Sequence, residues 1–120
     1  MVRVLIVDDQ SLVQTYLRTV VEENPDCSVV GTLDCADAAV ARCAAGGVDL
    51  VLMDMKMPVM DGRTATSEIR KFNAEIPIIA LTAHAFDADR VAALKAGCDD
   101  YLVKPINGAK LMQTLKEYGC

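Results

Sequence analysis

The residues with useful chemistry are Asp8, Asp9, Asp54, Thr82 and Lys104: three carboxylates, a hydroxyl and one ammonium group. Each lies at the end of a short apolar run. Val2 to Val7 leads into the acid pair, Leu50 to Met53 into Asp54, Ile78 to Leu81 into Thr82, and Tyr101 to Val103 into Lys104. Runs of this kind, apolar on both faces, suit parallel strands covered on both sides. In a parallel sheet the C-terminal strand ends share one edge, and ligands bind at that edge in open sheets. Three carboxylates brought together there would repel one another. A divalent cation would relieve the repulsion, and oxygen donors with room for water suit Mg2+. Beside Asp54 such an ion would neutralise the oxygens of an incoming phosphoryl group. Lys104 would hold one of those oxygens as a point charge, and Thr82 would donate a hydrogen bond to another. Phosphoryl transfer needs mainly positioning and charge neutralisation. Asp54 is therefore expected to act as a nucleophile, giving an acyl phosphate.

The rest of the chain must position these groups. Ser11 to Gln14 has the form of a capping box. A helical stripe of Leu12, Val13, Tyr16, Leu17, Val20 and Val21 follows and ends at Asn24-Pro25. Cys27 to Leu33 is a second strand, and Asp34 is placed to cap a helix whose Ala36, Ala39, Val40 and Cys43 share a face until Gly46-Gly47. Asp49 to Asp54 is the third strand. Asp61 caps a helix carrying Ala65, Ile69 and Phe72. Ile78 to Ala83 is the fourth strand, after Pro77. Asp87 to Ala96 is a short Ala-rich helix with a weak apolar stripe, expected to pack loosely. Tyr101 to Val103 is the fifth strand. Asn107 caps a last helix, with Ile106 and Leu111 as a staple around the cap and Leu111, Met112 and Leu115 facing the core. Strand then helix, five times, predicts an α/β layer fold with a parallel sheet and right-handed crossovers.

The totals agree with this reading. A chain of 120 residues fits one domain, able to bury roughly two-thirds of its unfolded surface. A hydrophobic fraction of 52% argues against disorder, and the net charge of −5 against a nucleic-acid surface. No apolar run reaches membrane-spanning length. Met1 leads straight into a strand pattern, so no signal peptide is expected. Cys27, Cys35, Cys43, Cys98 and Cys120 fit no zinc spacing, and they are expected to be reduced thiols of a cytoplasmic protein.

Four blocks together resemble the receiver domain of two-component response regulators. They are Asp8-Asp9, the stretch Met53-Asp54-Met55-Lys56-Met57-Pro58-Val59-Met60-Asp61-Gly62, Ala80-Leu81-Thr82-Ala83, and Asp100-Tyr101-Leu102-Val103-Lys104-Pro105. The resemblance runs the whole length, residues 1–120 as a single receiver domain. It implies a flavodoxin-like (βα)5 three-layer sandwich with sheet order 2-1-3-4-5. It further implies that Asp54 accepts phosphate from a phosphohistidine on a sensor kinase or phosphotransfer domain. Asp9, Asp54 and the backbone carbonyl of Lys56 would bind Mg2+ directly, and Asp8 through a bound water. Lys104 and the Ala83 backbone would contact the phosphoryl group, and the Lys104–Pro105 bond would be cis. Thr82 would swing toward the phosphoryl group and Tyr101 turn inward, changing the surface of the fourth helix, fifth strand and fifth helix. That surface would meet an output domain or partner, or a second copy in a phosphorylation-dependent homodimer. Lys56 and His84, near the mouth of the site, are candidates for tuning the phosphorylated lifetime.

Two other functions compete. A Mg2+-dependent hydrolase of the haloacid dehalogenase type also uses a strand-end aspartate, but needs a second carboxylate two residues later, where this chain has Lys56. A receiver-like module that never uses phosphate would be marked by loss of an acidic or lysine corner, and none is lost. The segment Val2 to Asp9 looks like receivers attached to DNA-binding effectors. Ala80 to Ala85 and Asp99 to Ile106 look like those fused to hybrid kinases.

Overall fold

The computed structural model describes residues 1–83 and 87–119. Five strands form one parallel sheet: β1 (Val2–Val7), β2 (Cys27–Leu33), β3 (Leu50–Asp54), β4 (Ile78–Thr82) and β5 (Asp100–Val103), in the order β2-β1-β3-β4-β5. Between them run α1 (Ser11–Glu22), α2 (Ala36–Ala45), α3 (Gly62–Arg70), α4 (Asp87–Ala96) and, last, α5 (Gly108–Glu117). This is the flavodoxin-like three-layer sandwich.

Alternation along the strands divides the core in two. Val4, Ile6, Leu50, Leu52, Ile79 and Leu81 meet Leu17, Val20 and Val21 of α1 and Leu111 and Leu115 of α5. Leu5, Val7, Val51, Met53, Ile78 and Ala80 meet α2, α3 and α4 on the other face. Because β1 pairs with β2 on one side and β3 on the other, the chain reverses its direction of travel across the sheet at β1. The loops after β1 and β3 separate there, leaving a crevice at the carboxyl ends of the strands.

Several local expectations differ from the structure. Ser11 is the first residue of α1 rather than its cap. Gln10 takes the cap position without a side-chain bond, and Asp8 Oδ1 accepts the Gln10 N–H at 2.9 Å. Cys35, not Asp34, precedes α2, again without a side-chain cap. Leu12 is 85% exposed, outside the stripe of Val13, Leu17, Val20 and Val21 that meets the core. Phe72 is 49% exposed, since α3 stops at Arg70. Asp61 and Asn107 cap α3 and α5 as expected, accepting from Thr64 N and Lys110 N. Ala93 is the buried hydrophobic residue of α4 among the described side chains, while Val91 and Leu94 stay exposed. Cys27 is disulfide-bonded, contrary to the expectation of reduced thiols; Cys35, Cys43 and Cys98 are free. Cys120 lies outside the described residues. No helix among the described residues is long and apolar enough to cross a membrane.

Candidate functional site

The crevice holds the predicted residues together. Asp8 follows β1 and is fully buried, Asp9 beside it is exposed, and Asp54 closes β3 at 4% exposure. One carboxylate oxygen from each lies within 4.8 Å of the others. Lys104, one residue beyond β5, reaches across two strands. Its Nζ lies 2.9 Å from Asp8 Oδ2 and 3.5 Å from Asp54 Oδ2. The Lys104 N–H donates to the Thr82 carbonyl at 2.7 Å, which joins the ends of β4 and β5. The Lys104–Pro105 peptide bond is cis. Thr82 is buried and Ala83 exposed, and both line a cavity of about 650 Å3 with Asp9, Asp54, Lys56 and Lys104. Tyr101 is half-buried on β5, and the guanidinium of Arg90 lies 5.8 Å from its ring centroid. His84 lies outside the described residues.

The loop after Asp54 is shaped by its own residues. The Lys56 N–H donates to Asp54 Oδ1 at 3.1 Å. Val59 has φ 71° and is fully exposed, and the Met60 N–H bonds the Pro58 carbonyl at 2.9 Å. This is a γ-turn with a β-branched residue at its centre, a strained arrangement. The turn folds the loop back so that the Gly62 N–H meets the Met55 carbonyl at 3.2 Å. A Cβ at Gly62 would overlap the Asp54 carbonyl oxygen, so only glycine lets α3 start this close to the Asp54 backbone. Asp61 is occupied as the cap of α3, and the Thr64 N–H holds its carboxyl below the usual range.

Burial pushes the Asp54 carboxyl up to about 6. The Lys56 N–H opposes this, the Asp8 charge adds to it, and the Lys104 ammonium opposes it again. The buried Asp8 Oδ2 receives no hydrogen bond of good geometry among the described residues; its contact with Lys104 is ionic and not directed. Three carboxylates, one of them with a buried oxygen whose partner is the Lys104 ammonium, make an all-oxygen donor set with excess negative charge. That chemistry fits Mg2+.

Sequence reasoning missed three contributors. Gln14 was read as the far end of a capping box, but its amide serves the backbone of Asp8. Gly62 carried a steric signal that only the close approach of α3 makes visible. Arg90 and Tyr101 are eleven positions apart, and only the α4–β5 packing brings them together.

The model of the response regulator receiver domain matches residues 4–116. The chain is 38% identical over 117 residues to the transcriptional regulatory protein AruR of Pseudomonas aeruginosa, covering 95% of this chain and 48% of that protein. It is 43% identical over 125 residues to the sensor protein GacS of Pseudomonas syringae pv. syringae, covering 97% of this chain and 13% of that one. The chain thus spans about half of AruR and a small part of GacS. Among solved structures, the Saccharomyces cerevisiae receiver domain of Ssk1, in complex with the histidine phosphotransfer protein Ypd1, is similar with a TM-score of 0.91. The identity is 33%, over 99% of this chain and 89% of that one. The chain belongs to the response regulator receiver-domain family.

Proposed function

We propose that this chain, acting as a single receiver domain over residues 1–120, is a switch set by phosphorylation of Asp54. The observation that carries the reading is the cluster itself: three carboxylates within 4.8 Å and one ammonium 2.9 and 3.5 Å from two of them. An Asp54 oxygen attacks the phosphorus of a phosphohistidine on a sensor kinase or phosphotransfer partner. The P–N bond breaks as the O–P bond forms, and the imidazole leaves with the electron pair. Asp8, Asp9, Asp54 and the Lys56 carbonyl would hold Mg2+, which supplies charge neutralisation at the phosphoryl oxygens. Lys104 and the Ala83 backbone bind those oxygens, and Thr82 turns its hydroxyl to one of them. The phosphoryl group adds about −1.5 to −2 charge and three acceptor oxygens. It biases the domain only through contacts that differ between two states.

Movement of Thr82 leaves room for the half-buried Tyr101 to turn inward, so α4, β5 and α5 present a different surface to an output domain, a partner protein or a second copy. The pairing of receiver with phosphotransfer protein in the yeast complex supports the class of donor. By the same analogy the chain works in the cytoplasm, catalysing only its own phosphorylation and slow dephosphorylation.

Incubation with acetyl phosphate and Mg2+ tests the reading by intact mass. The expected result is a gain of one phosphoryl group, absent in Asp54→Ala. No gain in the unmodified chain favours a phosphate-independent module. Rapid multiple turnover of small phosphoesters favours a hydrolase. Followed in time, the same assay reads the tuning role of Lys56 and His84: phosphoryl lifetimes unchanged in both alanine variants dismiss it.

A further inference from the structure

Gln14 sits one turn into α1 and is part-buried. Its Nε2 donates to the carbonyl oxygen of Asp8 and, at 3.2 Å, to that of Leu33. Both partners are acceptors, so the amide nitrogen and not its oxygen faces them. The Asp8 N–H donates to the same Leu33 carbonyl at 3.0 Å. A closed ring of hydrogen bonds therefore joins the end of β1, the end of β2 and α1.

The Asp8 carbonyl belongs to the peptide unit that links the two acids. Register on both sides of β1 ends at Val7, opposite Leu33 and Met53, so this carbonyl lies past the ladders. Gln14 supplies the donor that the sheet does not. The tilt of that one peptide plane fixes ψ of Asp8 and φ of Asp9, and so the directions in which both side chains leave the backbone. Asp8 has a second restraint, the Gln10 N–H on its Oδ1. Asp9 is exposed; its carboxyl meets that of Asp54, and the peptide before it sets where its side chain leaves the backbone.

We propose that Gln14 is a positioning residue for the acid pair: by pinning the Asp8–Asp9 peptide it sets the affinity of the site for a divalent cation. The inference rests on the phosphoacceptor reading above and deepens it. A purely structural Gln14 would tie α1 to the sheet and affect only folding stability. A residue that orients metal-binding groups through the atoms behind them changes metal affinity itself, commonly by tenfold or more.

The test is calorimetric titration with Mg2+ of the full chain, Gln14→Leu, Gln14→Asn and Val21→Ala, with a melting curve for each. Leu removes both donors. Asn keeps an amide but is one methylene too short to span both carbonyls, and it decides the matter if the Leu variant does not fold. Val21 is fully buried on the same helix, so its truncation softens α1 without touching the Asp8 carbonyl. Both Gln14 variants are expected to bind Mg2+ about tenfold more weakly, with acetyl phosphate labelling restored at saturating Mg2+. Val21→Ala is expected to melt earlier and bind Mg2+ as the parent does. Gln14 variants that bind Mg2+ like the parent overturn the inference alone, and equal weakening in Val21→Ala overturns it as general softening. A parent chain with no affinity for Mg2+ overturns the phosphoacceptor reading and this inference with it.

Discussion

Asp54 shares a buried corner with Asp8, and its carboxyl holds its proton up to about pH 6 in the folded chain against 3.8 when unfolded. Between those values the folded form binds more protons, so this group's contribution to stability declines as pH rises from about 4 to about 6 and stays unfavourable above. The buried charge costs stability. Asp54→Asn keeps an oxygen for the Lys56 N–H and removes the charge. The metal-free variant is therefore expected to be more stable than the parent at pH 7 to 8, by about 1–2 kcal/mol. The advantage should shrink as pH falls through about 6 and vanish near 4. Urea titrations across that range measure it. A difference independent of pH would mean that the Asp54 charge is not the cause.

Among its described side chains α4 buries the hydrophobic Ala93, and the turn after it is tied to α3. At its C-terminus, Arg70 Nε donates to the Gly97 carbonyl at 2.9 Å and Nη2 meets Asp99 Oδ2 at 2.8 Å. Asp99 Oδ2 in turn accepts the Ile78 N–H at 2.9 Å, which fastens the turn to the start of β4. Farther up the helix, the Arg90 guanidinium lies over the Tyr101 ring, a contact that bears on the switch proposed above. Exposed cation–π contacts contribute about 0.5–1 kcal/mol. Arg90→Ala should therefore raise the inward population of Tyr101 about two- to fivefold in the unphosphorylated chain. Aromatic proton shifts of Tyr101 read this directly; unchanged shifts would show that the guanidinium does not hold the ring. The elements themselves were legible because the strands are apolar runs bounded by charged or turn residues, and α1, α2, α3 and α5 bury residues at helical spacing. What was not legible followed from tertiary geometry. Ser11 lost the cap position because Asp8, folded back from the strand end, already satisfied the Gln10 N–H. Leu12 is apolar but falls outside the stripe of Val13, Leu17, Val20 and Val21 that meets the core. The acids and Lys104 could be placed at one edge from strand direction alone, whereas Gln14 and Arg90 act through contacts that no periodicity encodes.

For the molecule as a whole, two core layers hold the sheet between them while charge collects at one edge. Asp8, Asp9, Asp54 and Lys104 leave that edge with a surplus of negative charge, and only the folded chain brings the three carboxylates within 4.8 Å of one another. An ion bound there stabilises the folded state by RT ln(1 + [L]/Kd), about 2.7 kcal/mol at a hundred times Kd. In a domain of this size that corresponds to a rise of roughly 10 °C in melting temperature. Protons compete with the ion for Asp54, whose carboxyl is already pushed up to about 6. The Mg2+-dependent rise should therefore be full at pH 7 to 8, fall as pH drops through about 6, and be small at pH 5. In Asp54→Asn it should be weaker and nearly flat with pH over the same range, since the titrating ligand is gone. Melting curves with and without Mg2+ at each pH measure both. A rise of equal size at pH 5 and pH 8 in the parent chain would place the ion on carboxylates other than Asp54, and the link between ion, nucleophile and fold would be lost.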